Sequence, residues 1–223
     1  MSEARKKVRK VVAALERRFG VPRGRRRGDL IGSFVLTQLS QHTSDLNAER
    51  AFAALKEKFP EWRDVADATP QAVSDAIRSA GLANQKGRRI RSFVRWVKAT
   101  FGDYDLSPIR KMASEEITEL FTSVEGIGLK TVSVVLLFSL GRDVFPVDTH
   151  VRRICRRLGL VAESSTAEQT HRQMAPLVPK GKSLSLHVNL LRLGRTICRA
   201  RAPQCPECPL RRLCDYAAKA EPS

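Results

Sequence analysis

Four cysteines near the end of the chain have the residue type and spacing of a metal site. Cys198, Cys205, Cys208 and Cys214 form a C-x6-C-x2-C-x5-C pattern within 17 residues. Where thiols stay reduced, four cysteines this close together indicate a bound metal rather than disulfides. Zinc accepts four thiolates tetrahedrally, and a [4Fe–4S] cluster also takes four cysteines. The spacing alone leaves both open. The fifth cysteine, Cys155, lies on an apolar helical face, and we expect it to be a buried, small hydrophobic residue.

A glycine turn before a helix is the second feature with chemical potential. Gly126 and Gly128 precede an apolar run, and glycine adopts backbone conformations that are closed to other residues. The start of a helix presents free N–H groups and the positive end of a dipole to an anion. We therefore interpret Gly126 and Gly128 as a phosphate-binding turn, with a simple tight turn as the alternative.

Lys130 follows this turn, and Asp148 follows Lys130 by 18 positions. An unperturbed lysine has a pKa of about 10.4, so only about 0.04% is neutral at pH 7. A nucleophilic lysine therefore needs burial or a positive potential, and a helix start supplies some of the latter. We interpret Lys130 as a nucleophilic amine and Asp148 as its assistant. The alternatives are a phosphate contact or surface charge for Lys130, and a helix N-cap for Asp148.

The charge balance indicates a polyanionic partner. The chain has 40 Lys and Arg against 23 Asp and Glu, a formal net charge of +17. DNA or RNA is the commonest partner of such a chain. An anionic membrane surface is less favoured because no uniformly cationic amphipathic helix is present. Arg199 and Arg201 stand in the longest loop between cysteines and are predicted to face phosphate. The Arg-rich segment 23–27 is either a solvated linker or a phosphate contact.

No targeting or membrane segment is recognisable. The charged N-terminus is not followed by an apolar stretch, which argues against a signal peptide. The longest apolar run, 132–140, is too short to cross a bilayer. We expect a cytoplasmic protein that associates with the nucleoid when bound to DNA, and no membrane partner.

The elements that must position these residues are predicted to be helices. Residues 1–27 are predicted to be a basic amphipathic helix, with apolar residues at helical spacing and an end at Gly20, followed by an Arg-rich linker. The next helix starts at about Asp29. Asp45 is predicted to cap the following helix, and Thr69-Pro70 to start another. The run after Lys130 fits a buried strand or a buried helix, and helix is favoured because no strand is available to pair with it.

The C-terminal half continues the helical pattern. A helix follows Asp148, and Ser165-x-x-Glu168 predicts a capping box for the next one. A last helix is predicted over about residues 184–193, ending at Gly194. The sequence therefore predicts an all-α protein of about ten helices.

Taken together, these residues resemble the endonuclease III family of DNA glycosylases, in the helix-hairpin-helix superfamily, over residues 29–216. Residues 126–131 (GIGLKT) resemble the family hairpin G-V-G-R-K-T, and residues 147–150 are the family's V-D-T-H. The cysteine spacing is similar to the family's [4Fe–4S] signature. Gly81-Leu82, with Asn84 and Lys86, resembles the turn whose leucine wedges into the duplex. Residues 40–45 resemble the loop that fills the gap left by a flipped base, through Gln41 or His42.

The resemblance implies a two-lobed helix-hairpin-helix glycosylase fold. It consists of a six-helix barrel domain over residues 23–142 and an iron–sulfur domain formed by residues 1–22 and 143–223. Lys130 and Asp148 would be catalytic, and the four cysteines would hold a [4Fe–4S] cluster. The DNA contacts would include Gly126, Gly128, Leu82, Gln41, His42, Arg199 and Arg201.

The implied activity is that of a bifunctional DNA glycosylase and abasic-site lyase. It would excise oxidised pyrimidines from double-stranded DNA and cut 3′ to the abasic site by β-elimination, acting as a monomer. The alternatives are a monofunctional mismatch glycosylase of the same fold and a non-catalytic DNA-binding module. Two departures from the family pattern affect DNA binding. Val124-Glu125 replaces Leu-Pro before the hairpin, and Gln41-His42 replaces Ala-Gln in the gap-filling loop.

Overall fold

The computed structural model describes residues 2–24 and 28–220, and all regular structure in these ranges is helical. Arg25, Arg26 and Arg27, part of the segment interpreted as a linker or phosphate contact, lie outside the described residues. The all-α prediction is confirmed, as is the helix after Lys130. The α-helices are α1 (Glu3–Phe19), α2 (Leu30–Leu39), α3 (Asp45–Lys58), α4 (Trp62–Asp67), α5 (Pro70–Ala76), α6 (Ala83–Phe101), α7 (Ser114–Thr122), α8 (Leu129–Phe138), α9 (Thr149–Arg157), α10 (Ala167–Met174), α11 (Ser183–Thr196) and α12 (Asp215–Ala220).

Four short 3-10 helices connect these elements within the described ranges, at Arg78–Ala80, Ser107–Lys111, Cys205–Glu207 and Arg211–Leu213. The two α-helices beyond the expected ten are α4 and α12, each of 6 residues. Helices this short carry too little apolar periodicity to be recognised from spacing. None of the helices in the described ranges is long and apolar enough to span a membrane.

The chain forms two compact units. The central unit is Arg26–Leu140, and the terminal unit combines Met1–Arg25 with Gly141–Ser223. In the central unit, α2 and α8 pack against each other, and both are apolar on nearly all sides, which requires burial. Phe34 stacks on Phe121 with ring centroids 4.4 Å apart, and Phe93 lies 5.3 Å from Phe34. This aromatic cluster forms part of the core on which α6 and α7 rest.

The terminal unit brings the two ends of the chain together. Helix α1 packs against α11, and its apolar stripe joins a core that also contains Val151 and Leu190. Glu16 on α1 accepts hydrogen bonds from Lys182 Nζ at 3.0 Å and Ser185 Oγ at 2.6 Å. Burial raises the pKa of Glu16, but these two partners outweigh it and hold the pKa below its ordinary value.

Three predicted helix ends are wrong by a short distance. Ser44, not Asp45, caps α3, since its Oγ accepts from Asn47 N at 3.2 Å. Asp45 lies in the first turn, where the helix dipole still favours a carboxylate. The capping box of α10 consists of Thr166 and Gln169 rather than Ser165 and Glu168. Both residue pairs fit the spacing of a capping box, and the sequence alone does not show which pair forms it.

The helix predicted over residues 184–193 was expected to end at Gly194, but α11 continues to Thr196. A Cβ at position 194 would lie 2.8 Å from Nδ1 of His150 on α9. The glycine therefore permits close helix packing instead of a turn.

Candidate functional site

The hairpin between α7 and α8 is built around Gly126. Its φ of 83° lies in the left-handed region, and a Cβ there would approach Arg89 Cδ to 2.7 Å. Gly128 is different: its φ is −95°, and a Cβ there would meet nothing within 4 Å. Gly128 is the N-cap of α8, and no side chain caps the first turn of that helix. The backbone thus requires a glycine only at 126, whereas Gly128 leaves the helix start open to a ligand.

Glu125, the unexpected carboxylate in this turn, has a cationic neighbour. Its Oε1 lies 3.8 Å from Nε of Arg89 on α6, and its side chain is 84% exposed. Arg89 Nε is buried without a hydrogen-bond partner in the described residues. The ion pair partly neutralises Glu125. Arg89 therefore belongs to this site, although no sequence motif marks it.

Lys130 is the second residue of α8 and is half-buried. It lines a cavity of about 280 Å³ in the central unit. Two carboxylate residues, Asp45 and Glu49, line the same cavity. The other lining residues are Ser33, Leu36, Thr37, Ser40, Ala48, Val134, Val135, Phe138 and Ser139.

The loop between α2 and α3 distinguishes Gln41 from His42. The Gln41 side chain is half-buried, and its Nε2 lies 3.4 Å from Oγ1 of Thr131, next to Lys130. His42 is exposed and has a φ of 54°. In this structure Gln41 is therefore tied to α8, and His42 faces solvent.

Leu82, the predicted wedge, has a left-handed backbone conformation similar to that of His42. Its φ is 49° and its side chain is 58% exposed, among the most exposed large apolar residues in the described ranges. The left-handed conformation costs a non-glycine residue roughly 1–2 kcal/mol. Both the strain and the exposed apolar surface favour a functional role.

Lys86, a member of the motif that carries Leu82, is a buried charge that contacts the backbone of both loops. It is 4% exposed, and its Nζ donates to three backbone carbonyls. A signal for it exists in the sequence, because Lys86, Ile90 and Phe93 share the buried face of α6 at helical spacing.

Asp148 lies in the terminal unit and caps α9. Its Oδ1 accepts a hydrogen bond from Val151 N at 2.7 Å, and the residue is half-buried. The predicted capping role is therefore confirmed.

The four C-terminal cysteines line one small cavity, together with Arg157, Ile197 and Tyr216. Arg157 Nη1 donates to Cys198 Sγ at 3.2 Å, and Cys214 Sγ donates to the Arg157 carbonyl at 3.2 Å. Within the described ranges, no three His, Cys, Asp or Glu residues are arranged to hold a single metal ion. Burial raises the pKa of the Cys208 thiol to about 11, and neighbouring cysteines add to this.

Three other predicted positions can be placed in the terminal unit. Arg199 and Arg201 are exposed in the loop before Cys205. Cys155 is fully buried in the core, as expected for a small hydrophobic residue, and burial raises its pKa to about 12.

Comparison with known proteins identifies the family. Residues 35–180 match the family model of HhH-GPD superfamily base excision DNA repair proteins. Endonuclease III of Sulfolobus acidocaldarius is 33% identical over 84% of this chain and 82% of that protein. Endonuclease III of Thermotoga maritima is 31% identical over 87% of both chains. An Arabidopsis thaliana protein named as a DNA glycosylase is 33% identical over 81% of this chain, which spans 65% of that protein.

Solved structures show the same fold. A trapped endonuclease III–DNA covalent intermediate superposes with a TM-score of 0.84 over 97% of this chain and 98% of that chain, at 24% identity. A thermostable thymine-DNA glycosylase gives a TM-score of 0.82 at 20% identity, covering 98% of this chain and 100% of that chain. The chain belongs to the endonuclease III family of base excision repair DNA glycosylases, within the HhH-GPD superfamily.

Proposed function

We propose that this glycosylase is bifunctional: it excises oxidised pyrimidines from double-stranded DNA and then cuts the strand 3′ to the abasic site. The observation that carries the proposal is Lys130, which stands directly after an open glycine turn, half-buried beside a cavity. The name endonuclease III, borne by relatives over 30% identical, supports a strand-cleaving activity. A more distant relative, 28% identical over 72% of this chain, is named DNA glycosylase/AP lyase ROS1.

The chemistry follows from an amine nucleophile. The neutral Lys130 amine attacks C1′ of the deoxyribose, the N-glycosidic bond breaks, and the base leaves with a proton. The C1′–O4′ bond then breaks as the lysine nitrogen forms a double bond to C1′, and O4′ takes up a proton. The resulting iminium acidifies the C2′ proton, whose loss expels the 3′ phosphate by β-elimination. The Asp148 carboxylate stabilises the positive charge that develops on the sugar. Because Val151 N holds this carboxylate in place, the cap also orients the group.

DNA binding divides among several contacts. The turn at Gly126 and Gly128, with the start of α8, binds a backbone phosphate. Leu82 wedges into the stack while the damaged base is flipped out, at a cost of a few kcal/mol. His42 fills the gap, because it is exposed while Gln41 is tied to Thr131. Arg199 and Arg201 add phosphate contacts.

The four cysteines hold a [4Fe–4S] cluster in this proposal. They line one cavity, and the resemblance of their C-x6-C-x2-C-x5-C spacing to the family's signature favours the cluster over zinc. When bound, the cluster supplies a structural cross-link. Cys198 and Cys205 would then fix the loop that carries Arg199 and Arg201. The protein is further proposed to act as a monomer on chromosomal DNA in the cytoplasm.

An abasic-site duplex tests the lyase reaction directly. The wild-type enzyme is expected to cut it 3′ to the site, and Lys130→Gln to leave it intact while still binding it. A monofunctional mismatch glycosylase would remove a base without cutting, and a non-catalytic binding module would do neither. The strand-cleavage gel therefore separates the bifunctional enzyme from the other two functions. A panel of defined lesion and mismatch duplexes, treated with alkali to cut any abasic product, separates a monofunctional glycosylase from a binding module and identifies the preferred base.

A further inference from the structure

Lys86 on α6 is a buried ammonium group whose partners in the described residues are all backbone carbonyls. Its Nζ lies 2.8 Å from Leu39 O, 2.6 Å from Gln41 O and 2.8 Å from Ala80 O. An ammonium group has three N–H donors and no acceptor, so these three oxygens use its full capacity. A buried charge is tolerated only when it is hydrogen-bonded, so the three carbonyls must stay converged around it.

The three carbonyls belong to two different segments. Leu39 ends α2, and Gln41 follows in the loop to α3. Ala80 ends the 3-10 helix Arg78–Ala80, immediately before Gly81-Leu82. Carbonyls at helix ends lack intrahelical donors and carry the negative end of the helix dipole, which favours a cation. One side chain thus connects the two loops that are 39–41 residues apart in the sequence.

Both connected loops are strained next to the contact. The described residues include three non-glycine positions with positive φ, and two of them are His42 and Leu82. His42 directly follows Gln41, and Leu82 lies two positions after Ala80. Such conformations persist only where the surroundings over-determine them. Lys86 supplies a charged hydrogen bond within two residues of each strained position.

We infer that Lys86 is a positioning residue that couples the wedge at Leu82 to the gap-filling loop at Gln41-His42, so that both enter the duplex as one rigid unit. The inference rests on the proposed function, because it requires both loops to insert where a base is flipped. Lys86 itself is buried and acts through the backbone of Ala80 and Gln41. Burial lowers the pKa of Lys86, whereas the three carbonyls favour its charged form.

A comparison of duplex and single-stranded substrates distinguishes a positioning role of Lys86 from a purely structural one. A single-stranded abasic site needs no unstacking, wedge or gap filling, so it requires only the reacting groups. For Lys86→Met, we expect single-turnover cleavage of an abasic duplex to fall about tenfold or more, since loop misplacement weakens positioning. Cleavage of the single-stranded site should stay within about twofold of wild type. A duplex containing a fluorescent base opposite the site should show a matching loss of the flipping signal.

Lys98→Met is the matched control. Lys98 lies on the same helix, is exposed, and donates to Gly102 O at 2.6 Å, outside the two loops. The Lys98→Met substitution removes the same charge as Lys86→Met. The ratio of its cleavage rates on duplex and single-stranded sites should therefore equal that of wild type. A thermal melt of each variant establishes that the protein compared is folded.

A double-mutant cycle with Leu82→Ala tests the coupling itself. If Lys86 acts through the wedge, the duplex effects of Lys86→Met and Leu82→Ala are less than additive in free energy. Fully additive effects, or equal losses on duplex and single-stranded sites, would overturn the inference. If Lys86→Met does not fold, the same comparison with Lys86→Arg decides, because a planar guanidinium cannot serve three converging oxygens. A wild-type enzyme inactive on both substrates would instead reject the proposed lyase function.

Discussion

Glu125 in the hairpin turn forms an ion pair with Arg89 of α6, with Oε1 and Nε 3.8 Å apart. The same arginine packs against Gly126, whose missing side chain makes room for it. The carboxylate that departs from the family pattern therefore has a cationic partner on α6, beside the turn. Since Glu125 is 84% exposed, the pair itself adds at most about 1 kcal/mol to stability.

Replacing Glu125 with Gln should tighten DNA binding. Removing a negative charge near the bound phosphate relieves a repulsion on the order of 1 kcal/mol, or about fivefold in Kd. Fluorescence anisotropy at low salt measures this, and the gain should shrink as salt screens the charge. Glu57→Gln, which removes an exposed carboxylate on α3, is the control with the same change in net charge. Weaker binding by Glu125→Gln would show that the ion pair shapes the turn.

We propose a catalytic role for Asp148 beside its capping role, and two substitutions separate them. Asparagine caps a helix about as well as aspartate, so Asp148→Asn should keep the melting temperature while losing most of the turnover. Asp148→Ala should lose the same turnover and also about 1 kcal/mol of stability. Thermal melts and single-turnover rates on a lesion duplex give both quantities. Full activity of a stable Asp148→Asn protein would leave the carboxylate with its capping role alone.

The contact of Glu16 with Lys182 and Ser185 should make stability depend on pH. The pKa of Glu16 is lower in the folded protein than its ordinary value of 4.5, so the unfolded chain binds more protons between the two values. The stabilisation is complete above that ordinary value and is lost as the pH falls through the folded pKa. Denaturant titrations from pH 7 to pH 3 should show a shallower loss for Glu16→Gln than for wild type or Glu57→Gln. Parallel curves for all three proteins would contradict this assignment.

If the four C-terminal cysteines hold the cluster, replacing one of them should remove it, whereas replacing Cys155 should not. Purified wild-type protein should be brown and contain about four iron atoms and four sulfides per chain. Cys208→Ser should lose iron and unfold more readily, since one ligand of the cross-link is missing. Cys155→Ala should keep the iron and lose only about 1 kcal/mol of stability, because its thiol is buried in the core. A colourless protein with one zinc would replace the cluster with a zinc site.

Sequence patterns predicted the elements that depend on local chemistry. Thr69 is an N-cap as expected, α2 begins next to Asp29 as expected, and α8 is a helix despite its β-branched residues. The predicted helix start differs by one residue from the observed one where two capping patterns overlap, as at Ser165 and Thr166. Tertiary packing selects between such patterns, and local spacing does not contain that information.

Contacts between distant segments could not be predicted in the same way. Arg89 and Glu125 are 36 positions apart, and nothing in either motif pairs them. Lys86 was detectable as a charge at a buried helical position, but its three carbonyl partners depend on the fold. The opposite situations of Gln41 and His42 likewise depend on a left-handed residue that spacing does not reveal.

Borohydride trapping tests the central claim, that Lys130 is the nucleophile, most directly. Borohydride reduces the Schiff base between an enzyme amine and C1′ to a stable covalent bond. Wild-type protein with a lesion duplex should therefore yield a cross-linked protein–DNA band, and peptide mapping should place the DNA on Lys130. Lys130→Gln should give no band while retaining DNA binding. An undiminished band from folded Lys130→Gln, or a cross-link at another lysine, would contradict the assignment.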